Sequence, residues 1–294
     1  MITLNNFILI TGKAILLISF APLVSGIIRK VKNSLRMRKG ASIFQPYYNV
    51  WKLFSKDEVI SGNASWIFYA TPVIVLASSV CALCLILMVE PVPFFKNSMA
   101  ILVAALFVLG LGRFFLALAG LDTGSSFGGM GSSREMFISS FAEPAAFIAV
   151  FVLCMTGGNN LKVSNLLGGL AILMVAIAET SRIPVDNQET HLELTMVHEA
   201  MVLEYSGKSL ALIELASHVK QMVFFILLSW YFFVPLVPGY WGWAIFVSKI
   251  AVISAVVAFI EISVAKMRLF RVVDFLSFSF FIALVASIAA SLGL

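Results

Sequence analysis

The chain has 294 residues, of which 61% are hydrophobic and only 12% charged, with a mean hydropathy of +1.01 and a formal net charge of +5. Soluble domains carry roughly 25% charged residues, so this composition excludes a soluble globular protein and points to an all-α, polytopic integral membrane protein. The positive balance does not point to nucleic acid, because no basic stretch is interleaved with aromatic residues on a soluble domain.

A spanning helix needs about 20 apolar residues, since the hydrocarbon layer is about 30 Å thick and each residue rises about 1.5 Å. Eight such segments are predicted, at about 7–28, 66–90, 98–119, 136–156, 165–183, 209–235, 240–264 and 272–292, within a single membrane domain spanning 1–294. Helices are expected because lipid offers no partner to free backbone groups, and no segment shows the alternation of a barrel strand. The first segment lacks an early basic region and a small-residue cleavage site, so it is expected to be a retained helix.

The first connection, 29–65, opens with a basic run and continues as IFQPYYNVWKLFSKDE. Pro46 suits the first turn of a helix, and Tyr47, Val50, Trp51 and Phe54 follow at i, i+3, i+4 and i+7. Such a helix is expected to lie along the interface plane, as a surface anchor or as the wall of a functional cavity. Cys81 and Cys84 form a CxxC inside the second segment with no His or third Cys beside them, so they read as small apolar residues. The connection at 120–135, with LDTGSSFGGMGSS, lacks the strand and Lys of a phosphate loop; it is expected to be a flexible lid or a close backbone contact with a partner. The remaining connections on the same side are 184–208 and 265–271.

Orientation follows from Lys and Arg. With the first connection inside, the inner face collects Arg29, Lys30, Lys32, Arg36, Arg38, Lys39, Lys52, Lys56, Arg134, Arg182, Lys208, Lys266, Arg268 and Arg271, against Lys96 and Lys162 outside. This positive-inside bias predicts a multi-pass protein of the cytoplasmic membrane with both termini external and the large connections cytoplasmic. The net charge then reflects topology and anionic lipid contact.

Residues 179–207, ETSRIPVDNQETHLELTMVHEAMVLEYSG, hold six of the fifteen carboxylates: Glu179, Asp186, Glu189, Glu193, Glu199 and Glu204. Within or at the ends of the spans lie Glu135, Glu143, Glu179, Glu214 and Glu261, all in the expected inner half, with Lys220 and Lys249 deeper and Arg113 near the inner end of the third span. A charge at a helix centre costs about 2.5–3.5 kcal/mol on insertion scales, so such residues line a polar path or pair with one another. Glu135 and Glu143 share roughly one face at two turns' separation, as do Glu214 and His218 at one turn. Two readings stay open: a proton relay reaching in from the inner side, or buried ion pairs that lock helices together.

Glu179, Thr180, Arg182, Pro184 and Asp186 in ETSRIPVD, with Glu204, Tyr205, Ser206 and Gly207 in EYSG, resemble the signature of the first-subunit family of respiratory complex I. In detail RKGASIFQPYYNVWKLF, LAGLDTGSSFGGMGSSREM and RIPVDNQETHLELTMVHEAMVLEYSG are more similar to the branch found in membrane-bound [NiFe] hydrogenases of the energy-converting and formate hydrogenlyase types. The chain departs from quinone-reducing members, which carry a GPN-type sequence before the QP and a Ser-Tyr-Glu pattern where this chain has Ser133, Arg134 and Glu135. A quinone-reductase subunit is therefore the weaker alternative.

The resemblance implies a membrane subunit that anchors a peripheral hydrogenase module and couples its electron flow to movement of protons or Na⁺, or else a purely structural anchor. It implies no cofactor in this chain, with the [NiFe] centre and iron–sulfur clusters in partner subunits. The implied partners are hydrogenase large and small subunits, antiporter-like membrane subunits and the lipid bilayer. The implied ion path runs through Glu135, Glu143, Glu179, Asp186, Glu193, Glu204, Glu214, Lys220, Lys249 and Glu261. Arg182, Glu189, His191, His198 and Tyr205 are the implied partner contacts. His191 and His198 are seven residues apart, a spacing that argues against a metal site completed by carboxylates alone.

Overall fold

The computed structural model describes residues 4–60, 62, 64–89, 98–157, 162–186, 196–232 and 240–293. Among them run ten helices: α1 (Leu4–Leu35), α2 (Gln45–Phe54), α3 (Trp66–Val89), α4 (Ser98–Asp122), α5 (Ser126–Thr156), α6 (Val163–Glu179), α7 (His198–Val202), α8 (Gly207–Phe232), α9 (Tyr240–Ser263) and α10 (Leu269–Ser291). α1, α3, α4, α5, α8, α9 and α10 are long and apolar enough to cross a membrane. α6, with 17 residues, is an apolar helix of about 26 Å, a little short of the hydrocarbon layer. These eight match the eight expected segments, and the chain is an all-α multi-pass membrane protein.

The boundaries differ from expectation where local backbone chemistry outlasts hydrophobicity. α1 was expected to stop at residue 28 but continues to Leu35. The sequence IIRKVKNSL holds no breaker, and lipid depth does not end a helix. α1 stops where Met37 takes φ 55°, with Met37 N–H bonded to Ser34 O at 3.0 Å and Arg38 N–H to Asn33 O at 2.9 Å. This is a Schellman ending with Met in the left-handed position usually given to Gly. α5 begins at Ser126, ten residues before the expected start, so most of the Gly/Ser-rich connection is helix.

The residues group into two compact units. The first comprises Met1–Ser25, Phe44–Met136 and His191–Val223; the second comprises Gly26–Ile43, Phe137–Thr190 and Phe224–Leu294.

In the first unit α3 packs against α4, and the short α7 also meets α4. Small residues bring α3, α4, α5 and α7 close to one another in this unit. A Cβ at Gly112 would lie 2.2 Å from Ser78 Oγ, one at Gly128 2.3 Å from the Gly120 carbonyl oxygen, and one at Gly131 2.8 Å from Ala200 Cβ. The glycines expected to form a lid or to meet a partner thus bring backbone against backbone inside this unit. Ser132 Oγ donates to Ala117 O at 2.8 Å across the same contact. Phe68, Leu116, Ala119, Met201, Val202 and Tyr205 form the buried apolar cluster at this end. α2 leaves Phe44, Tyr48, Trp51 and Phe54 exposed, so Trp51 and Phe54 of the expected stripe lie on its exposed side, while Tyr47 is half-buried and donates its hydroxyl to Ser19 O at 2.5 Å.

In the second unit α6 packs along α10. Ser279 Oγ donates to Ala171 O at 3.0 Å across this contact. Gly168 makes room for the Tyr231 ring, and Tyr231 donates its hydroxyl to the Ala149 carbonyl.

Candidate functional site

The second unit holds a cluster of buried charges built around the SRIP turn. α6 ends in a second Schellman motif: Ser181 N–H bonds Ala178 O at 3.1 Å and Arg182 N–H bonds Ile177 O at 3.0 Å, with Ser181 at φ 51°. The chain then turns on Arg182, whose carbonyl accepts from Val185 N–H at 2.9 Å and Asp186 N–H at 3.1 Å. Met267 N–H bonds Pro184 O at 2.9 Å and ties the α9–α10 connection to this turn.

Five charged side chains pair around that backbone. Arg182 Nη1 donates to Glu261 Oε1 at 2.6 Å, near the end of α9. Lys32 Nζ, from the last turns of α1, approaches the other Glu261 oxygen at 3.3 Å. Lys266 Nζ donates to Asp186 Oδ1 at 2.8 Å. Glu261 is 5% exposed, Lys32 6% and Asp186 2% at the side chain, so these pairs are strongly desolvated.

Ser181 carries a conformation that L side chains adopt at a cost of roughly 1–2 kcal/mol. Ser181→Gly is accordingly expected to keep the protein as stable or raise its stability by a few tenths of a kcal/mol to about 1 kcal/mol. Ser181→Ile is expected to lower it by about 1–3 kcal/mol, read as a thermal shift in detergent.

The first unit holds a second charged pair and explains the EYSG motif. Arg113 Nε on α4 lies 3.7 Å from Glu135 Oε1 on α5, both largely buried. Arg134 Nη1 donates to Met196 O at 2.9 Å, holding the chain just before α7. Tyr205 stacks on Phe68, with ring centroids 4.0 Å apart and planes 3° from parallel, and donates its hydroxyl to Phe68 O at 3.0 Å. Burial pushes its phenol well above the ordinary value and the Asp122 charge adds to this, while a hydrogen bond with Thr71 opposes it. Ser206 Oγ accepts from Val59 N–H at 2.8 Å and donates to Val59 O at 2.9 Å. Glu58 Oε1 accepts from Ser209 N–H at 2.6 Å at the start of α8, where the helix favours negative charge. Gly207 has φ 52° and its Cβ position lies 2.7 Å from Asp57 O, so only glycine fits.

The expected site residues therefore fall into separate places. Glu261, Asp186 and Arg182 come together in the second unit, joined by Lys32 and Lys266, and Glu135 pairs with Arg113 in the first. Glu143 on α5, Glu179 at the end of α6, Glu214 and Lys220 on α8 and Lys249 on α9 each make interactions of their own. Glu204 is exposed and His198 half-buried in the first turn of α7. Glu189, His191 and Glu193 lie outside the described residues.

Two of the expected partner contacts, Tyr205 and Arg182, are engaged within the chain itself. Tyr205 is 4% exposed and spends its ring and hydroxyl inside the first unit. Arg182, with an 11% exposed side chain, is turned onto Glu261. Lys32, Arg182 and Lys266 neutralise buried carboxylates, which topology alone did not anticipate. Lys32 escaped notice because it sits in a basic run whose bulk explanation sufficed; its one legible signal is that it falls within unbroken helix-forming sequence.

Polytopic helices with paired ionisable groups packed among them define the class as a multi-pass all-α membrane protein. The chain belongs to the NADH dehydrogenase family, whose model matches residues 8–292, as the ETSRIPVD and EYSG motifs led one to expect. It is 32% identical over 227 residues to hydrogenase-4 component C of Escherichia coli (strain K12), covering 72% of this chain and 70% of that protein. It is 29% identical over 230 residues to formate hydrogenlyase subunit 4 of the same organism, covering 72% of each. In fold it matches a chain in the structure of the membrane-bound sulfane sulfur reductase, an archaeal respiratory membrane complex, with a TM-score of 0.80, 18% identity, and coverage of 96% of this chain and 99% of that one.

Proposed function

We propose that this chain is the membrane subunit of a respiratory-type [NiFe] hydrogenase complex, anchoring the peripheral redox module and coupling its electron transfer to proton or Na⁺ translocation. The observation that carries this reading is the likeness to hydrogenase-4 component C over most of both chains. The desolvated Lys32–Glu261–Arg182 cluster supports the coupling half: buried charge of this kind responds to a change of charge nearby, since little solvent screens it. The hydrogenase large and small subunits would bear the [NiFe] centre and iron–sulfur clusters, and antiporter-like subunits would flank this chain in the cytoplasmic membrane. Termini outside and connections inside follow the Lys and Arg distribution.

The short Arg182–Glu261 contact of 2.6 Å also favours a second reading, a structural anchor whose ion pairs only hold helices together. Inverted vesicles containing the whole complex separate the two. Glu143→Gln and Glu214→Gln are expected to lower proton or Na⁺ uptake per hydrogen evolved by tenfold or more while the complex still assembles. Unchanged uptake with intact assembly would leave only the anchor.

A further inference from the structure

Midway along α8, a buried polar network occurs that none of the charged pairs explains. His218 lies eleven residues past Gly207, about 17 Å along a helix of 26 residues, or near its middle. Ser25 Oγ on α1 is 2.9 Å from His218 Nδ1 and donates to Gln221 Oε1 at 2.8 Å. His218 is 6% exposed, Ser25 3% and Gln221 3%, all within the first unit.

The hydrogen bonds fix the tautomer. A serine hydroxyl has one proton, and Gln221 Oε1, which can only accept, takes it. The remaining contact then requires His218 Nδ1 to donate to Ser25 Oγ. With Nδ1 holding its hydrogen, the neutral ring presents its lone pair at Nε2. An orienting hydrogen bond on one imidazole nitrogen commonly sets the task of the other. Along α8 the neighbouring charged groups are Glu214, one turn before, and Lys220, two residues after; along α1 they are Lys13 and Arg29.

We infer that His218 is a proton-carrying residue at mid-helix depth, held in its Nδ1–H form by Ser25 and Gln221, and that the ion this unit conducts is H⁺ and not Na⁺. The inference rests on the translocation reading above and narrows it. Nε2 takes a proton from the path on one side, giving an imidazolium, and releases the same proton to the other, so no co-reactant is needed and Nδ1–H is never exchanged. Two of the cluster's polar hydrogens, on Nδ1 and on Ser25 Oγ, are already committed within it. A hard cation such as Na⁺ takes oxygen ligands, whereas the acceptor this ring presents is a nitrogen, which takes H⁺.

The test uses the intact complex in inverted vesicles, with acidification followed by a pH-sensitive dye in Na⁺-free buffer and normalised to hydrogen evolved. His218→Gln is expected to reduce proton uptake per hydrogen at least tenfold. Ser25→Ala, which leaves the ring but removes its acceptor, is expected to reduce it several-fold, and Ser25→Thr to retain it. Because the serine pair keeps His218 in place, it decides the matter even where His218→Gln assembles poorly: equal uptake in Ser25→Ala and Ser25→Thr overturns the inference. Full uptake in His218→Gln, or uptake that requires added Na⁺, overturns it as well. If those variants pump normally while Glu143→Gln and Glu214→Gln do not, the translocation reading survives without His218. If His218→Gln, Ser25→Ala, Glu143→Gln and Glu214→Gln all leave uptake unchanged, translocation through this chain itself falls.

Discussion

Glu261→Gln is expected to destabilise the solubilised protein by about 3–5 kcal/mol, because it leaves Lys32 and Arg182 buried without a counter-charge. The measurement is the thermal transition of the detergent-purified complex, accompanied by its yield. Deleting a cation at the same time tests the electrostatic origin. Lys32→Met combined with Glu261→Gln removes one of the two stranded charges, and it is expected to recover a substantial part of the loss. A double variant as unstable as the single one would show that Glu261 acts through packing or hydrogen bonding and not through charge balance. Arg182→Lys keeps the charge but forfeits the fixed fork of the guanidinium. It is expected to lose less than Glu261→Gln, with the Schellman ending of α6 still presenting the side chain toward α9.

Tyr205→Ala is expected to cost about 3–5 kcal/mol, the range for removing a large buried aromatic side chain. The loss has two separable parts. Tyr205→Phe keeps the stack on Phe68 but gives up the hydroxyl's bond to Phe68 O, leaving that acceptor less well satisfied, and is expected to cost about 1 kcal/mol. The thermal transition of the complex read for both variants checks the division. An equal effect of the two would assign the stability to the hydrogen bond, whereas the aromatic contact predicts a several-fold difference. A direct partner contact at this position would instead show as loss of the redox module from a complex whose membrane part stays as stable as before.

The number and type of spanning segments were legible because lipid permits few solutions. A run of about 20 apolar residues must satisfy its own backbone, and α3, α4, α9 and α10 follow directly from it. The extra turns of α1 and the early start of α5 were not legible from hydrophobicity, which reports depth in lipid and says nothing about where a helix stops. Their signals are local: a left-handed Met37 closes α1, and Gly128 and Gly131 let α5 approach other backbone closely. The Gly/Ser-rich stretch reads as flexible by composition and is helical because those small residues serve packing.

The motifs were legible as motifs, but their roles divided. ETSRIPVD does build a charged cluster, since Arg182 and Asp186 both find partners on the α9 side. In EYSG the last three residues fasten the first unit, with Tyr205 stacked, Ser206 bound to Val59 and Gly207 in a conformation closed to other residues, while Glu204 is exposed. The sequence by itself determined that this protein is a bundle of lipid-spanning helices with ionisable groups inside it, because both composition and the cost of buried charge are properties of the residues alone. Only the tertiary structure decided which charges meet. Lys32 and Glu261 are 229 positions apart in the chain and Ser25 and His218 are 193 apart, and no periodicity within one helix can report a contact made between two.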